Sequence, residues 1–312
     1  MSARVLVAGC GAVGSVFACL LRASGLRVSV LARAAQVAAI RSHGIRVSGL
    51  WGDHQARGFE AEERAADLGD GYDAVLITCK SYQLPDLIAE IGDRAAPHGV
   101  AISLQNGLGN VDRLAAVYGK ERVLAGRVIF GAELVDPGAV RVTVEAEPVL
   151  IGSPSGGEDA RAEHWAAVFR SAGIRCEATT DVLAALWAKV FYNAALNPLG
   201  ALLGLRYGEL AADPERRMIM NRVVGEAYSV ACAEGVRLGW ASVADYLDVF
   251  YGRLVPATAD HRSSMLQDIE RNRRTEIDAI CGEIVRRADI HGIDAVVNRL
   301  LKLLVSARSA ES

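Results

Sequence analysis

Lys189, Asn193 and Asn197 stand at intervals of four residues inside the apolar stretch W-A-K-V-F-Y-N-A-A-L-N-P. On an α-helix each such step turns about 400°, so the three side chains fan over about 80° along roughly 12 Å of axis. An ammonium and two carboxamides are costly in an apolar helix unless something polar meets them. Together they could stabilise an oxygen on which negative charge develops, hand it a proton, and hydrogen-bond a polar ligand. A lysine paired only with a nearby carboxylate is the plain alternative. Lysine is also scarce: of the 34 basic residues four are Lys (Lys80, Lys120, Lys189 and Lys302) and the rest are Arg. Only Lys offers a compact, titratable ammonium.

A second group of residues suits a nucleotide. Gly9-Cys10-Gly11-Ala12-Val13-Gly14 is a G-x-G-x-x-G that follows a strand-like V-L-V-A and opens a helical pattern. Its glycines permit a tight turn, close approach of backbone N–H groups to a pyrophosphate, and close packing of helix on strand. Where an NAD site usually carries an acid at the end of the second strand, this chain reads Val30-Leu31-Ala32-Arg33, with no acid before Asp53. Arg33 is placed to meet a 2′-phosphate, so the expected cofactor is NADPH. Two further strand ends carry polar groups, Thr78-Cys79-Lys80 and Gln105-Asn106-Gly107. In the second half, Ser264 and Glu276 lie in S-S-M-L-Q-D and R-T-E-I-D. Ser264 could instead cap a helix, and Glu276 could be one more solvated carboxylate.

The elements that must position these groups follow from periodicity. With 312 residues and 51% hydrophobic content the chain can bury a large core and fill two domains. Apolar runs at Arg4–Ala8, Arg27–Leu31, Ala74–Thr78 and Val100–Leu104 alternate with helical patterns at Val13–Ser24, Ala34–His43 and Leu84–Ala96, which predicts a doubly wound parallel α/β sheet. From Arg122 to Ile151 closely spaced runs around Asp136-Pro137-Gly138 predict antiparallel hairpin strands appended to that sheet. After Thr179 helical periodicity takes over, with breaks at Asp213-Pro214 and Val255-Pro256. The expected domains are therefore 1–179 and 180–312. A net charge of −3 gives no footprint for nucleic acid. The segment 184–205 is long enough for a bilayer, but Lys189, Asn193, Asn197 and Pro198 speak against a membrane span. Six cysteines without a C-x-x-C pair, and an N-terminus without signal-peptide organisation, predict a cytoplasmic protein and no metal site. Trp51, Trp165, Trp187 and Trp240 read as core or interface aromatics.

Six motifs in one order, G-C-G-A-V-G, the Lys80 strand end, Gln105-Asn106-Gly107, Lys189 with Asn193 and Asn197-Pro198, S-S-M-L-Q-D, and T-E-I-D-A-I-C-G, resemble the ketopantoate reductase (2-dehydropantoate 2-reductase) family. The resemblance runs from Arg4 to about Ile293. It implies an N-terminal Rossmann domain, a C-terminal helical domain of the 6-phosphogluconate dehydrogenase type, and an active site in the cleft between them. The implied reaction is NADPH-dependent reduction of a 2-keto acid to a 2-hydroxy acid in pantothenate biosynthesis. Lys189 matches the catalytic lysine, Glu276 the active-site glutamate, Asn193 and Asn197 the substrate-side asparagines, and Ser264 the substrate-binding serine. Lys80 and Asn106 match residues at cofactor and substrate, and Ala132 a backbone contact to cofactor. One position departs: where well-studied members carry a further substrate-contacting asparagine before Gly-Glu-Leu, this chain has Tyr207. A phenol cannot copy a carboxamide, and the departure falls on recognition of the substrate's distal hydroxyl. Two other readings use the same motifs: an opine-type imine reductase, and a non-catalytic NADP(H) sensor, which would have no need of a lysine acid. A helical C-terminal domain can also supply a homodimer face.

Overall fold

The computed structural model describes residues 2–310. Contacts divide the chain into two units, residues 1–105 with 110–183, and residues 106–109 with 184–312.

The first unit runs β1 (Arg4–Ala8), α1 (Ala12–Ala23), β2 (Arg27–Leu31), α2 (Ala34–His43), β3 (Ile45–Gly49), β4 (His54–Ala56), β5 (Glu60–Glu62), β6 (Tyr72–Ile77), α3 (Leu84–Ile91), β7 (Ala95–Ser103), α4 (Asn110–Tyr118), β8 (Val123–Arg127), β9 (Phe130–Asp136), β10 (Ala139–Glu145), β11 (Val149–Gly152), α5 (Ala160–Ser171) and β12 (Cys176–Ala178). Its main sheet has the order β12-β11-β8-β7-β6-β1-β2-β5. From β5 to β8 neighbouring strands are parallel. Their apolar runs arise because both faces are covered. Val5, Val7, Val28 and Val30 pack with Phe17 and Leu21 of α1 and with Ile45 and Val140 of the second sheet. Leu6, Ala8, Val75 and Ile77 pack on the other side with Leu84, Leu114 and Tyr118. The chain steps outward from β1 through β2 to β5, then returns to the opposite side of β1 with β6. Strand order therefore reverses between β1 and β6, the kind of point where ligands bind in such sheets.

Three expectations need correction. The helix begun at Leu84 stops at Ile91, because Gly92 takes φ 54°, and the following Ala95–Ala96 opens β7. The strands after Arg122 do not form one appended hairpin array. β8 runs parallel to β7 and β11 antiparallel to β8, both in the main sheet. The hairpin β9–β10 instead joins β3 and β4 in a separate sheet of order β4-β3-β10-β9. Strands β3, β4 and β5 were not anticipated; they are short and interrupted by exposed polar residues.

The second unit is helical: α6 (Val182–Leu203), α7 (Tyr207–Ala212), α8 (Pro214–Ala233), α9 (Val243–Val249), α10 (Ser264–Glu270), α11 (Glu283–His291) and α12 (Val296–Ala310). The break at Asp213-Pro214 is an N-cap, with the Asp213 carboxylate accepting from Arg216 N–H at 2.9 Å and Pro214 filling the first helical position. The N-terminus of α12 is capped from another helix: buried Glu226 of α8 accepts from the N–H groups of Val297 and Asn298 and from the Asn298 amide. An aromatic cluster of Trp187, Phe191, Tyr228 and Tyr246 holds α6. Among the described residues no helix is long and apolar enough to cross a membrane.

Candidate active site

The glycine loop leaves the end of β1 on the first unit. Gly9 and Cys10 donate their N–H groups to Leu31 O at the end of β2, and Thr78 Oγ1 at the end of β6 donates to Gly9 O at 3.0 Å. The loop is thereby fastened to both strands beside it. The three glycines meet different surroundings. Gly9 has φ 88°, and a Cβ there would lie 2.5 Å from the Cys79 side chain. A Cβ on Gly14 would lie 2.5 Å from Thr78 Oγ1 and 3.2 Å from Val7, so this glycine lets α1 settle on the sheet. At Gly11 a Cβ would come no nearer to protein than 4.0 Å. That open space, above an N-cap with no capping side chain and a first turn with no acid, fits a pyrophosphate approaching the backbone N–H groups of Ala12 and Val13.

Cys10 contributes backbone only. Its buried thiol points inward to Ser15 Oγ at 3.4 Å, Ser15 accepts from Gln36, and Gln36 holds Gly138 N–H in the β9–β10 turn. Burial pushes the Cys10 thiol up to about 11, so it stays protonated at neutral pH. Arg33 is exposed at the N-cap of α2. One acid escaped sequence reasoning: β5 runs beside β2, pairing Glu62 with Leu31. No local signal marks it, since 31 residues separate the two. The Glu62 carboxylate is engaged by Arg41, while Arg33 at the end of β2 is exposed, as are Glu63 and Arg64 just past β5. Lys80 follows β6, half-buried, with its N–H donating to Gln83. Gln105 bridges back to the same turn, donating to Cys79 O at 3.0 Å. Ala132 lies on β9 in the second sheet and packs, half-buried, against the core of the first unit.

In the second unit the polar stripe of α6 forms as its spacing predicts. Lys189 is half-buried, Asn193 is 9% exposed and Asn197 4%, so the stripe deepens along the helix. Lys189 Nζ donates to Asn106 Oδ1 at 2.5 Å. Asn106 sits in the loop 106–109, which docks on a π-helical turn at Asp278–Gly282. Leu108 N–H donates to Ala279 O at 2.8 Å, and Gly107, at φ 82°, has that same carbonyl where its Cβ would be, at 2.4 Å. Buried Glu276 lies two residues before the turn, and its carbonyl accepts from Ala279 N–H at 3.1 Å. The loop that carries Asn106 and the backbone of Glu276 are thus both tied to this turn. π-turns of this kind are frequent at functional sites.

Capping of α10 falls to Ser263, whose buried Oγ accepts from Leu266 N–H at 3.0 Å and donates to Asn197 O. Ser264 is exposed as the first helical residue, its hydroxyl spared from that task. Sequence reasoning did not single out Ser263; two adjacent serines carry no signal of which one caps. Tyr207 also proves part of the stripe: its hydroxyl donates to Asn197 Oδ1 at 2.6 Å. A lysine held in this way can stabilise negative charge on a ligand oxygen and protonate it.

Comparison with known proteins agrees. The family model described as "Ketopantoate reductase PanE/ApbA" matches residues 5–156, and that described as "Ketopantoate reductase PanE/ApbA C terminal" matches residues 181–309. The chain is 34% identical over 311 residues to a 2-dehydropantoate 2-reductase of Aquifex aeolicus (strain VF5), covering 99% of this chain and 97% of that protein. A crystal structure of a PanE/ApbA family ketopantoate reductase from Ralstonia eutropha JMP134 superposes with a TM-score of 0.88 at 32% identity over 99% of both chains. The ternary structure of D-mandelate dehydrogenase with NADH and anilino(oxo)acetate superposes at 0.89 with 25% identity, again over 99% of both. The chain is an oxidoreductase of the nicotinamide-using type, and it belongs to the ketopantoate reductase family.

Proposed function

We propose that this protein reduces a 2-keto acid to the 2-hydroxy acid with NADPH, ketopantoate being the first substrate to try. The observation that carries the reading is the Lys189 ammonium, half-buried in an apolar helix and held at 2.5 Å by the Asn106 amide oxygen. Residues 1–179 bind the dinucleotide and residues 180–312 supply the substrate side, with Asn106 contributing to both. Gly9 to Gly14 take the pyrophosphate through backbone N–H groups and Arg33 takes the 2′-phosphate. Lys80, Asn106, Ala132 and Glu276 complete the cofactor contacts implied by family membership. When bound, NADPH supplies the hydride for the keto carbon.

Reduction builds negative charge on the keto oxygen. Lys189 stabilises that charge and donates the proton. Asn106 orients the ammonium through an acceptor that carries no charge of its own, and Glu276 orients it from the adjoining turn. Asn193 and Asn197 face the substrate's side chain, and Ser264 offers its hydroxyl to the carboxylate. A cytoplasmic setting accords with six free cysteines, five of them buried. The test is NADPH consumption, followed by absorbance, across ketopantoate, branched aliphatic 2-keto acids and arylglyoxylates, with and without added amino acids. Turnover of a 2-keto acid alone is expected. Turnover only with an amine would point to imine reduction, and tight NADPH binding without turnover would overturn the reading in favour of a sensor.

A further inference from the structure

The deep end of the α6 stripe is already occupied by the protein's own hydroxyl. Asn197, 4% exposed, accepts at Oδ1 from the Tyr207 hydroxyl at 2.6 Å, and Tyr207 itself is 3% exposed. The phenol is held on every side. Its backbone N–H donates to His261 O at 3.2 Å, and the next residue, Gly208, donates to Ala259 O at 2.8 Å. Gly208 packs so closely on Ala259 that a Cβ would lie 2.9 Å away. The Tyr192 ring stands edge-on to Tyr207 at 5.7 Å, pinned by its own hydroxyl on Thr258 Oγ1, and the His261 ring packs against Tyr207 at 5.1 Å. Burial pushes the Tyr207 hydroxyl well above its ordinary pKa, which keeps it a donor.

The phenol takes one acceptor site of the Asn197 oxygen and fills the space beside it, so a substrate hydroxyl approaching from that side would have to unpack the ring. An apolar side chain makes no such demand. We infer that Tyr207, by occupying one acceptor site of Asn197 and closing the deep end of the stripe with its ring, makes this enzyme select 2-keto acids with an apolar side chain over those bearing a distal hydroxyl. The inference rests on the 2-keto acid reduction proposed above. Tyr207 acts here as a positioning residue, through Asn197. Magnitudes separate the alternatives. A site built to hydrogen-bond a substrate hydroxyl rejects the analogue lacking it by about 10⁴ to 10⁵, whereas an apolar site rejects an added hydroxyl by only about 10².

The experiment compares kcat/KM for ketopantoate with that for 3,3-dimethyl-2-oxobutanoate, which has the same carbon skeleton with hydrogen in place of the hydroxyl. The wild-type protein is expected to favour the deoxy compound by roughly tenfold to a hundredfold. Tyr207→Phe, which keeps the ring and frees the Asn197 oxygen, is expected to raise the ratio of ketopantoate to deoxy compound about tenfold. A ratio between two such similar substrates does not move through a general loss of stability. Wild-type preference for ketopantoate, or an unchanged ratio in a folded Tyr207→Phe protein, would overturn the inference and leave 2-keto acid reduction standing. If the variant fails to fold, the wild-type ratio decides alone. Turnover of no 2-keto acid at all would overturn the underlying reading and this inference with it.

Discussion

Lys189 has an amide oxygen as a hydrogen-bond partner, and an amide accepts from an ammonium without cancelling its charge. An ammonium positioned in this way can hand a proton to an oxygen that becomes negative. Lys189→Ala should lower kcat/KM by about 10² to 10⁴, the range of a positioned general acid, while NADPH binding measured by fluorescence titration stays close to wild type. Full activity in that variant would remove Lys189 as the acid. Arg33 carries a separate expectation, because the acid paired beside the end of β2, Glu62, is engaged by Arg41. Arg33→Asp trades a charge-assisted contact to a phosphate for a repulsive one and should shift the NADPH to NADH ratio of kcat/KM by at least tenfold to a hundredfold, on the order of 1.5–3 kcal/mol. Unchanged NADPH selectivity would put the 2′-phosphate elsewhere.

At the scale of elements, the loop 106–109 is positioned by a glycine against a π-turn. Gly107 combines φ 82° with a carbonyl oxygen 2.4 Å from where its Cβ would be. Gly107→Ala should cost about 1–3 kcal/mol of stability, and it should lower turnover further by moving Asn106 off Lys189. Denaturant unfolding and steady-state kinetics on the same preparation measure both, and a variant as stable and active as wild type would mean that the loop is not braced by Ala279. How far the sequence could be read divides along these same elements. Strands β1, β2, β6 and β7 were legible because burial on both faces leaves an uninterrupted apolar run. The end of α3 was legible too but overrun, since the helix-favouring Ala95–Ala96 outweighed two stop signals, Gly92, which takes φ 54°, and Pro97, which disfavours a helical Ala96. Sheet membership of β9 and β10 was unreadable, because it depends on pairing Ala139 with Arg46, far away in the chain. The α6 stripe was visible from spacing alone. Its partners were not: Asn106 reaches Lys189 from 83 residues away, and Tyr207 meets Asn197 only because the chain turns back between α6 and α7.

Both units keep weak acids neutral in their interiors, and this should govern how the whole molecule responds to alkali. In the first unit burial raises Cys10 and Cys19 to about 11, Cys176 and Tyr118 to about 12, and Tyr72 above its ordinary value. In the second it raises Tyr192 and Tyr251 to about 12 and moves Tyr207, Tyr246 and Cys281 in the same direction. Each group has a folded pKa above its unfolded one, so in alkali the unfolded chain gives up protons that the folded chain retains, and stability falls. The stabilisation is fully present below about pH 7.5, where unfolded thiols and phenols are still protonated, and it is lost as pH rises through the folded values. Thermal unfolding should therefore hold a steady midpoint from about pH 6.5 to about pH 7.5 and drop increasingly steeply beyond. If the units melt separately, both transitions should move, since each contains several such groups. Replacing Cys176 with Ala removes one titrating group and should make the decline of the first unit shallower, even though the smaller side chain lowers its midpoint at every pH. A midpoint that stays constant from about pH 9 to about pH 11 would show that these thiols and phenols ionise in the folded protein as freely as in the unfolded chain.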